Sequence, residues 1–423
     1  MIFVPAIYFS FLSFLLYRRN KCLDIATLIA AMFAVSGIFS VLVDVFDLRY
    51  WDSVGYQITP VASAFYCGLV TMCILPFAAC SNVKITRIRP IRNKRVLKVV
   101  AWISLAWFLA SLLFGWESMM RVLTGDMGEM RSGMATESAE KHDWMLSLPS
   151  GLRLVITVFN MIFSCSWSLV FLAFFSRYVQ KMDSKYFYAF IIASLSGPFQ
   201  GIVIADRSKT AYWILTLVGM YLLFRPWMTK TEKKSLRRFG TVMVAILSTY
   251  LVAMTISRFG WRDAGNNIGG TEGGIVSYLG QVYINFCYFF DSYEPAFTHL
   301  GIIFPFTSQY VFGVPSGGTT IQEQMNFLTG HNTNVFYTFI GQIIIGAGRE
   351  AAIVYSIAYT IISAISLPRI VRRKALGISG LYIYFALSSV LLLGLFGHYY
   401  TAAPLTCSLV VMFLLVRLME NEK

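Results

Sequence analysis

The side chains able to do chemistry gather in three short stretches. ADRSKTAYW at 205–213 packs Asp206, Arg207 and Lys209 between two apolar runs. Arginine presents a planar fork that matches phosphate oxygens, and a helix beginning near Ser208 would add its N-terminal amides. The stretch therefore reads as a phosphate or pyrophosphate site, or as a tight polar turn with an Asp206–Arg207 pair. SRFGWRDAGNN at 257–267 places Arg258 and Arg262 four residues apart, on one face if a helix continues through them. Two such cations repel unless an anion lies between them; the plainer reading is interfacial anchors. LTGHNTN at 328–334 holds His331 just before the apolar run VFYTFIGQIIIGAG. A helix capped by Thr333 or Asn334 would bring its positive end to the imidazole and favour the neutral form that a general base needs. His398 and Tyr399, in GHYY, sit at a comparable position between two later apolar runs. Arg349 and Glu350 close the GAGRE break at 346–350 and can pair with each other.

What must position these groups is a membrane bundle. The 423 residues are 57% hydrophobic and 13% charged, with a mean hydropathy of +0.64, whereas soluble domains carry about 25% charged residues. Apolar windows long enough to cross a bilayer fall near 2–17, 24–46, 60–80, 97–115, 152–175, 186–204, 210–224, 239–256, 335–367, 377–396 and 403–418. The expected fold class is all-α, a polytopic helix bundle of about 10–12 transmembrane helices. Three segments follow: N-terminal membrane helices over 1–256, a long polar loop over 257–334, and C-terminal membrane helices over 335–423. Within the loop, 275–300 has helical length and many aromatics, which predicts an amphipathic helix resting on the membrane surface. The window 335–367 is too long for one span and is interrupted by GAGRE. One of its pieces is expected to be re-entrant or interfacial.

The net charge of +14 has a topological origin. Of the 35 lysines and arginines, 25 lie in six short loops or tails, around 18–21, 84–98, 176–186, 225–238, 369–374 and 417–423. By the positive-inside rule these face the cytoplasm. The N-terminus and the loop 257–334 then lie outside, and the C-terminus inside. A nucleic-acid binder would concentrate its charge on one domain face, so no nucleic-acid partner is expected. The seven cysteines form no C-x-x-C pair and predict neither a metal site nor a disulfide framework. No phosphate-binding Walker loop, dinucleotide fingerprint, G-x-S-x-G or H-E-x-x-H occurs, which argues against an ATP-driven pump and against those enzyme classes.

His331, Asn332, Asn334, Phe336, Tyr337, Gly341, Gly346 and Gly348, together with Arg207 ahead of a helix, form a layout that resembles the Wzy-type polymerases of O-antigen and oligosaccharide repeat units and the related O-antigen ligases. The acidic residue often found between the aromatics and the last glycines of that family is missing; Glu350 comes only after the glycines. The resemblance implies a membrane glycosyltransferase of a bacterial inner membrane, with its site facing the periplasm. Its donor is a glycan on undecaprenyl pyrophosphate and its acceptor a lipid-linked repeat unit. His331 would take the acceptor's hydroxyl proton. Arg207, Arg258 and Arg262 would hold the pyrophosphate, and Lys209, Asn332, His398 and Tyr399 complete the substrate-binding set. No cofactor or metal is implied, the lipid bilayer is the other partner, and a chain-length regulator is left open. An O-antigen ligase remains an alternative, as does a lipid-linked oligosaccharide flippase or transporter.

Overall fold

A computed structural model describes residues 1–49, 53–85, 87–124, 150–203, 208–260, 270–295, 326–331, 337–373, 375–397 and 403–420. The described chain is helical, and its β-type pairing is limited to one isolated bridge, Ile88–Leu376. The helices are α1 (Val4–Asn20), α2 (Ile25–Val45), α3 (Pro60–Ala79), α4 (Lys94–Thr124), α5 (Ser150–Phe163), α6 (Trp167–Phe174), α7 (Ser184–Ser194), α8 (Ser196–Val203), α9 (Ser208–Phe224), α10 (Lys230–Gly260), α11 (Gly270–Ser292), α12 (Phe339–Val371), α13 (Ile378–Leu393) and α14 (Ala403–Glu420).

Six helical stretches are long and apolar enough to cross a membrane, and a seventh if α5 and α6, bent by 59°, count as one broken span. The chain is a multi-pass membrane protein. Among the described residues this is fewer than the 10–12 crossings expected, because several apolar windows become short helices. α1 and α9 have 17 residues and α13 has 16. At 1.5 Å per residue each is roughly 25 Å long, the short end of what spans a hydrocarbon layer of about 30 Å.

The chain forms two units. The first comprises Met1–Ile85, Asn267–Arg373 and Ala386–Thr406. Its helices begin at sequence-encoded caps: Asp24 accepts from the Thr27 amide at 2.9 Å, Thr59 from that of Ala62 at 3.1 Å, and Thr338 from that of Gly341 at 3.2 Å. Phe9, Phe33, Tyr66 and Tyr283 build a buried aromatic core across α1, α2, α3 and α11.

α11 departs from the surface helix expected of it. Gln281, Val282, Tyr283, Ile284, Asn285, Phe286 and Cys287 are all buried, so the helix is covered on every side. Ser36 and Ser40 of α2 donate to the carbonyls of Leu279 and Gly280 at 2.9 and 2.5 Å, and a Cβ on Gly280 would strike the Phe39 carbonyl. The helix nevertheless does not run the length of the bundle. Ser277 near its start reaches the Leu48 carbonyl, Tyr283 in its middle reaches the Met1 carbonyl and Ser63, and Asp291 at its end meets Tyr56 and Thr59. All these partners lie where α1 begins, α2 ends and α3 begins. α11 is a buried beam across one end of the unit.

α12 carries the interruption anticipated at GAGRE. Gly348 has φ 90° and ψ 169°, which breaks the helix. Before it, Phe339–Gly346 is buried apart from half-buried Gln342; after it, Val354, Ile357, Ile361, Ile362 and Ile365 form an exposed apolar stripe at helical spacing. A short internal segment therefore precedes a span with a lipid-type face.

The second unit comprises Thr86–Asn266, Lys374–Phe385 and Cys407–Lys423. Trp167, Phe171, Phe174, Phe175, Trp213, Phe224, Tyr382 and Phe385 fill its core. Its basic loops are bonded to one another. The Gln180 side chain pairs with both backbone groups of Ile91 at 3.0 and 3.1 Å, and Leu376 exchanges backbone bonds with Arg87 and Arg89. The Asn93 amide donates to the Met419 carbonyl at 3.3 Å, and Lys181 lies 3.9 Å from Glu232. Segments that charge counting puts on one side thus share one end of the unit.

Candidate functional site

In the first unit a cavity of about 620 Å³ opens between the end of α11, the turn at 328–331 and the break in α12. Asn326–Thr329 makes one helical turn, closed by a bond from the Gly330 amide to the Asn326 carbonyl at 2.9 Å. Gly330 then takes φ 69°, the left-handed conformation that ends helices, and hands the chain to His331. His331 lies half-buried on the cavity wall. Its Nδ1 is 2.8 Å from the Tyr288 hydroxyl. Tyr288 and Tyr293 flank the imidazole with centroids at 5.5 and 5.7 Å, and Phe289 lies beyond at 6.5 Å. Two rings of α11, the ring of Tyr293 just beyond it and one hydrogen bond therefore fix the orientation of the imidazole.

Polar groups gather beside the histidine. Tyr56 and Thr59 donate to one Asp291 carboxylate oxygen, at 2.5 and 2.8 Å. Burial pushes the Tyr56 hydroxyl well above its ordinary pKa, and its bond to Asp291 pushes the same way, so it stays a neutral donor. The Tyr56 ring in turn meets the Tyr288 ring edge-on at 5.5 Å, linking the Asp291 cluster to the histidine's partner. The Tyr293 hydroxyl donates to the Ile345 carbonyl at 3.2 Å, and burial pushes its pKa up to about 12. At the break of α12, Arg349 pairs with Glu350 at 3.1 Å. With Glu294 the cavity holds three carboxylates, one guanidinium and the imidazole. Such a lining offers acceptors to hydroxyl groups and disfavours a polyanion. Among the described residues no His, Cys, Asp and Glu side chains converge in a group of three that could hold a metal ion.

The residues singled out from the sequence are distributed as follows. His331 belongs to this cavity, as do Arg349 and Glu350. Thr338, rather than Thr333 or Asn334, caps the following helix. Lys209 begins α9 in the second unit, where its ammonium donates to the Gln200 amide oxygen at 3.3 Å. Arg258 lies in the last turn of α10. Arg207, Arg262, Asn332, His398 and Tyr399 fall outside the described residues.

Sequence reasoning passed over Tyr288, Tyr293, Asp291 and Glu294. The signal was present in YFFDSYEP, an aromatic and acidic knot in an otherwise apolar helix. Reading that helix as a surface element sent its aromatics to lipid and left its carboxylates without a role. No family model, curated protein or solved structure matches the chain.

Proposed function

We propose that the chain is a membrane glycosyltransferase of the repeat-unit polymerase kind. It transfers a growing glycan from undecaprenyl pyrophosphate to a sugar hydroxyl of a second lipid-linked repeat unit, at the periplasmic face of a bacterial inner membrane. The observation that carries the reading is His331, held by Tyr288 on the wall of a cavity whose size lies in the range of ligand pockets.

In this reaction the acceptor oxygen bonds to the anomeric carbon of the donor sugar. The bond from that carbon to the pyrophosphate oxygen breaks, and undecaprenyl pyrophosphate leaves with the electron pair. The acceptor's proton passes to His331. That role sets the tautomer: Nδ1–H donates to the Tyr288 oxygen, and Nε2 keeps the lone pair that takes the proton. The carboxylates of the cavity suit a neutral, hydroxyl-rich acceptor. For the donor's phosphates, the family resemblance implies Arg207, Lys209, Arg258 and Arg262, cations whose charge would offset that of the leaving group. A lipid-linked donor also needs no nucleotide on the periplasmic side.

Replacement of His331 by Ala tests the reading in cells. Surface polysaccharide resolved on a gel should collapse from long chains to single repeats. Long chains at normal levels in that variant would overturn His331 as the base.

A further inference from the structure

Two carboxylates in the first unit are held by hydroxyl donors, and they are held differently. Asp24 is fully buried, and both of its oxygens are taken. Oδ1 accepts from the Thr27 amide and hydroxyl at 2.9 and 2.6 Å, and Oδ2 accepts from Asn20 and Ser81 at 2.8 and 2.5 Å. Asp24 is a fastener between the end of α1, the start of α2 and the turn after α3. Asp291 instead lies half-buried on the wall of the 620 Å³ cavity. Tyr56 and Thr59 both donate to its Oδ2, at 2.5 and 2.8 Å, and Oδ1 has no partner among the described residues.

A fastener uses both oxygens, as Asp24 does. Two donors on one oxygen fix the rotation of the Asp291 carboxylate and leave the other oxygen to the cavity. That oxygen can only accept. Among the described residues no cation pairs with Asp291, and Arg349, the guanidinium of the cavity, is paired with Glu350 at 3.1 Å. An acceptor-only oxygen on a wall that also holds Glu294 and Glu350 repels a phosphate and receives a hydroxyl. α11 sets its place relative to the histidine. Tyr288, which holds His331 Nδ1, precedes Asp291 by three residues, so the two share a helix face with Cβ atoms roughly 5–6 Å apart. In the tautomer proposed above, His331 Nε2 and Asp291 Oδ1 are two acceptors that belong to one cavity.

We infer that Asp291 recognises the acceptor sugar: its Oδ1 accepts a hydroxyl beside the one that gives its proton to His331. Tyr56 and Thr59 are the positioning residues that hold the carboxylate for this contact. The inference rests on the function proposed above and deepens it by a binding residue that sequence reasoning passed over.

The test uses the full-length protein in phosphatidylcholine nanodiscs, titrated with the repeat-unit oligosaccharide of the host cell after release from its lipid pyrophosphate. The wild type should bind it, and inorganic pyrophosphate should not displace it. In Asp291→Asn the amide oxygen keeps Tyr56 and Thr59, and the amide nitrogen turns a donor to the cavity where an acceptor stood. Affinity should fall about tenfold, the loss expected for one hydrogen bond to a charged group, with a melting temperature close to that of the wild type. Tyr56→Phe keeps the carboxylate and removes one anchor, so it should weaken binding about threefold, and it decides the matter if Asp291→Asn does not fold. Wild-type affinity in Asp291→Asn, whatever its stability, makes Asp291 a second fastener and overturns the inference. So does unaltered affinity in Tyr56→Phe where that variant alone folds. Displacement by pyrophosphate makes the cavity an anion site, and a wild type that binds no oligosaccharide leaves it without a sugar; either result overturns the inference. The proposed function is judged separately, by the polysaccharide of His331→Ala. Weakened binding in Asp291→Asn beside normal chains in His331→Ala would keep the sugar contact and remove the histidine as base.

Discussion

His331 was visible in the sequence because a histidine is rare in this chain and this one precedes a long apolar run. What holds it was not visible. Tyr288 lies 43 residues earlier, and nothing in local spacing joins the two. The bond between them makes a sharp expectation: Tyr288→Phe removes the hydrogen bond and keeps the ring. Initial-rate measurements should show turnover falling about tenfold with little change in KM, because in the proposed reaction the bond orients the base rather than holding substrate. An unaltered turnover would separate Tyr288 from the chemistry. The buried tyrosines set an alkaline limit as well. Burial raises the Tyr293 value from an ordinary pKa of about 10 to about 12, so the folded state favours the protonated phenol. That contribution is complete below the lower value and is lost as pH rises through the upper one. Melting temperatures in detergent should decline between those two values, and Tyr293→Phe should lessen the decline.

The helices themselves were largely legible, since apolar length and capping residues such as Asp24 and Thr59 mark them. α12 shows how a break can be read from residue types alone. Successive glycines followed by two charges cannot continue a buried helix, and Gly348 takes a backbone conformation that other residues rarely adopt. Gly348→Ala should destabilise the protein by on the order of 1–3 kcal/mol, read as the shift in a denaturation midpoint. It should also move Arg349 and Glu350 off the cavity wall. α11 was misread for a physical reason. Tyr283, Phe286, Phe289 and Phe290 do share one face, but Gln281, Ile284 and Asn285 on the other sides are buried as well, and a helix buried all round belongs in a core. Its close approach to α2 depends on Gly280. Gly280→Ala should cost about 1–3 kcal/mol, because the obstacle is the Phe39 backbone, which cannot step aside.

At the scale of the molecule, charge patterning located the basic loops, and the second unit joins several of them through Gln180, Leu376 and Met419. Hydropathy says which stretches are apolar. It does not say which stop short of a full crossing, because that depends on kinks such as the one between α5 and α6. The proposed orientation gives a direct expectation for labelling in intact cells. A cysteine placed at exposed Lys185 should be protected from a membrane-impermeant maleimide, and one placed at exposed Ser292 should react. The opposite pattern would invert the topology and put the cavity in the cytoplasm.

The central claim is that His331 takes a proton during transfer of a glycan from undecaprenyl pyrophosphate. Purified protein in proteoliposomes, supplied only with undecaprenyl pyrophosphate-linked repeat units, tests it directly when two-repeat product and free undecaprenyl pyrophosphate are both counted. The wild type should release one undecaprenyl pyrophosphate for each linkage formed, and His331→Ala should slow both by about 100-fold or more while still binding the donor. Release without linkage in the wild type, or equal rates in the two proteins, would contradict it.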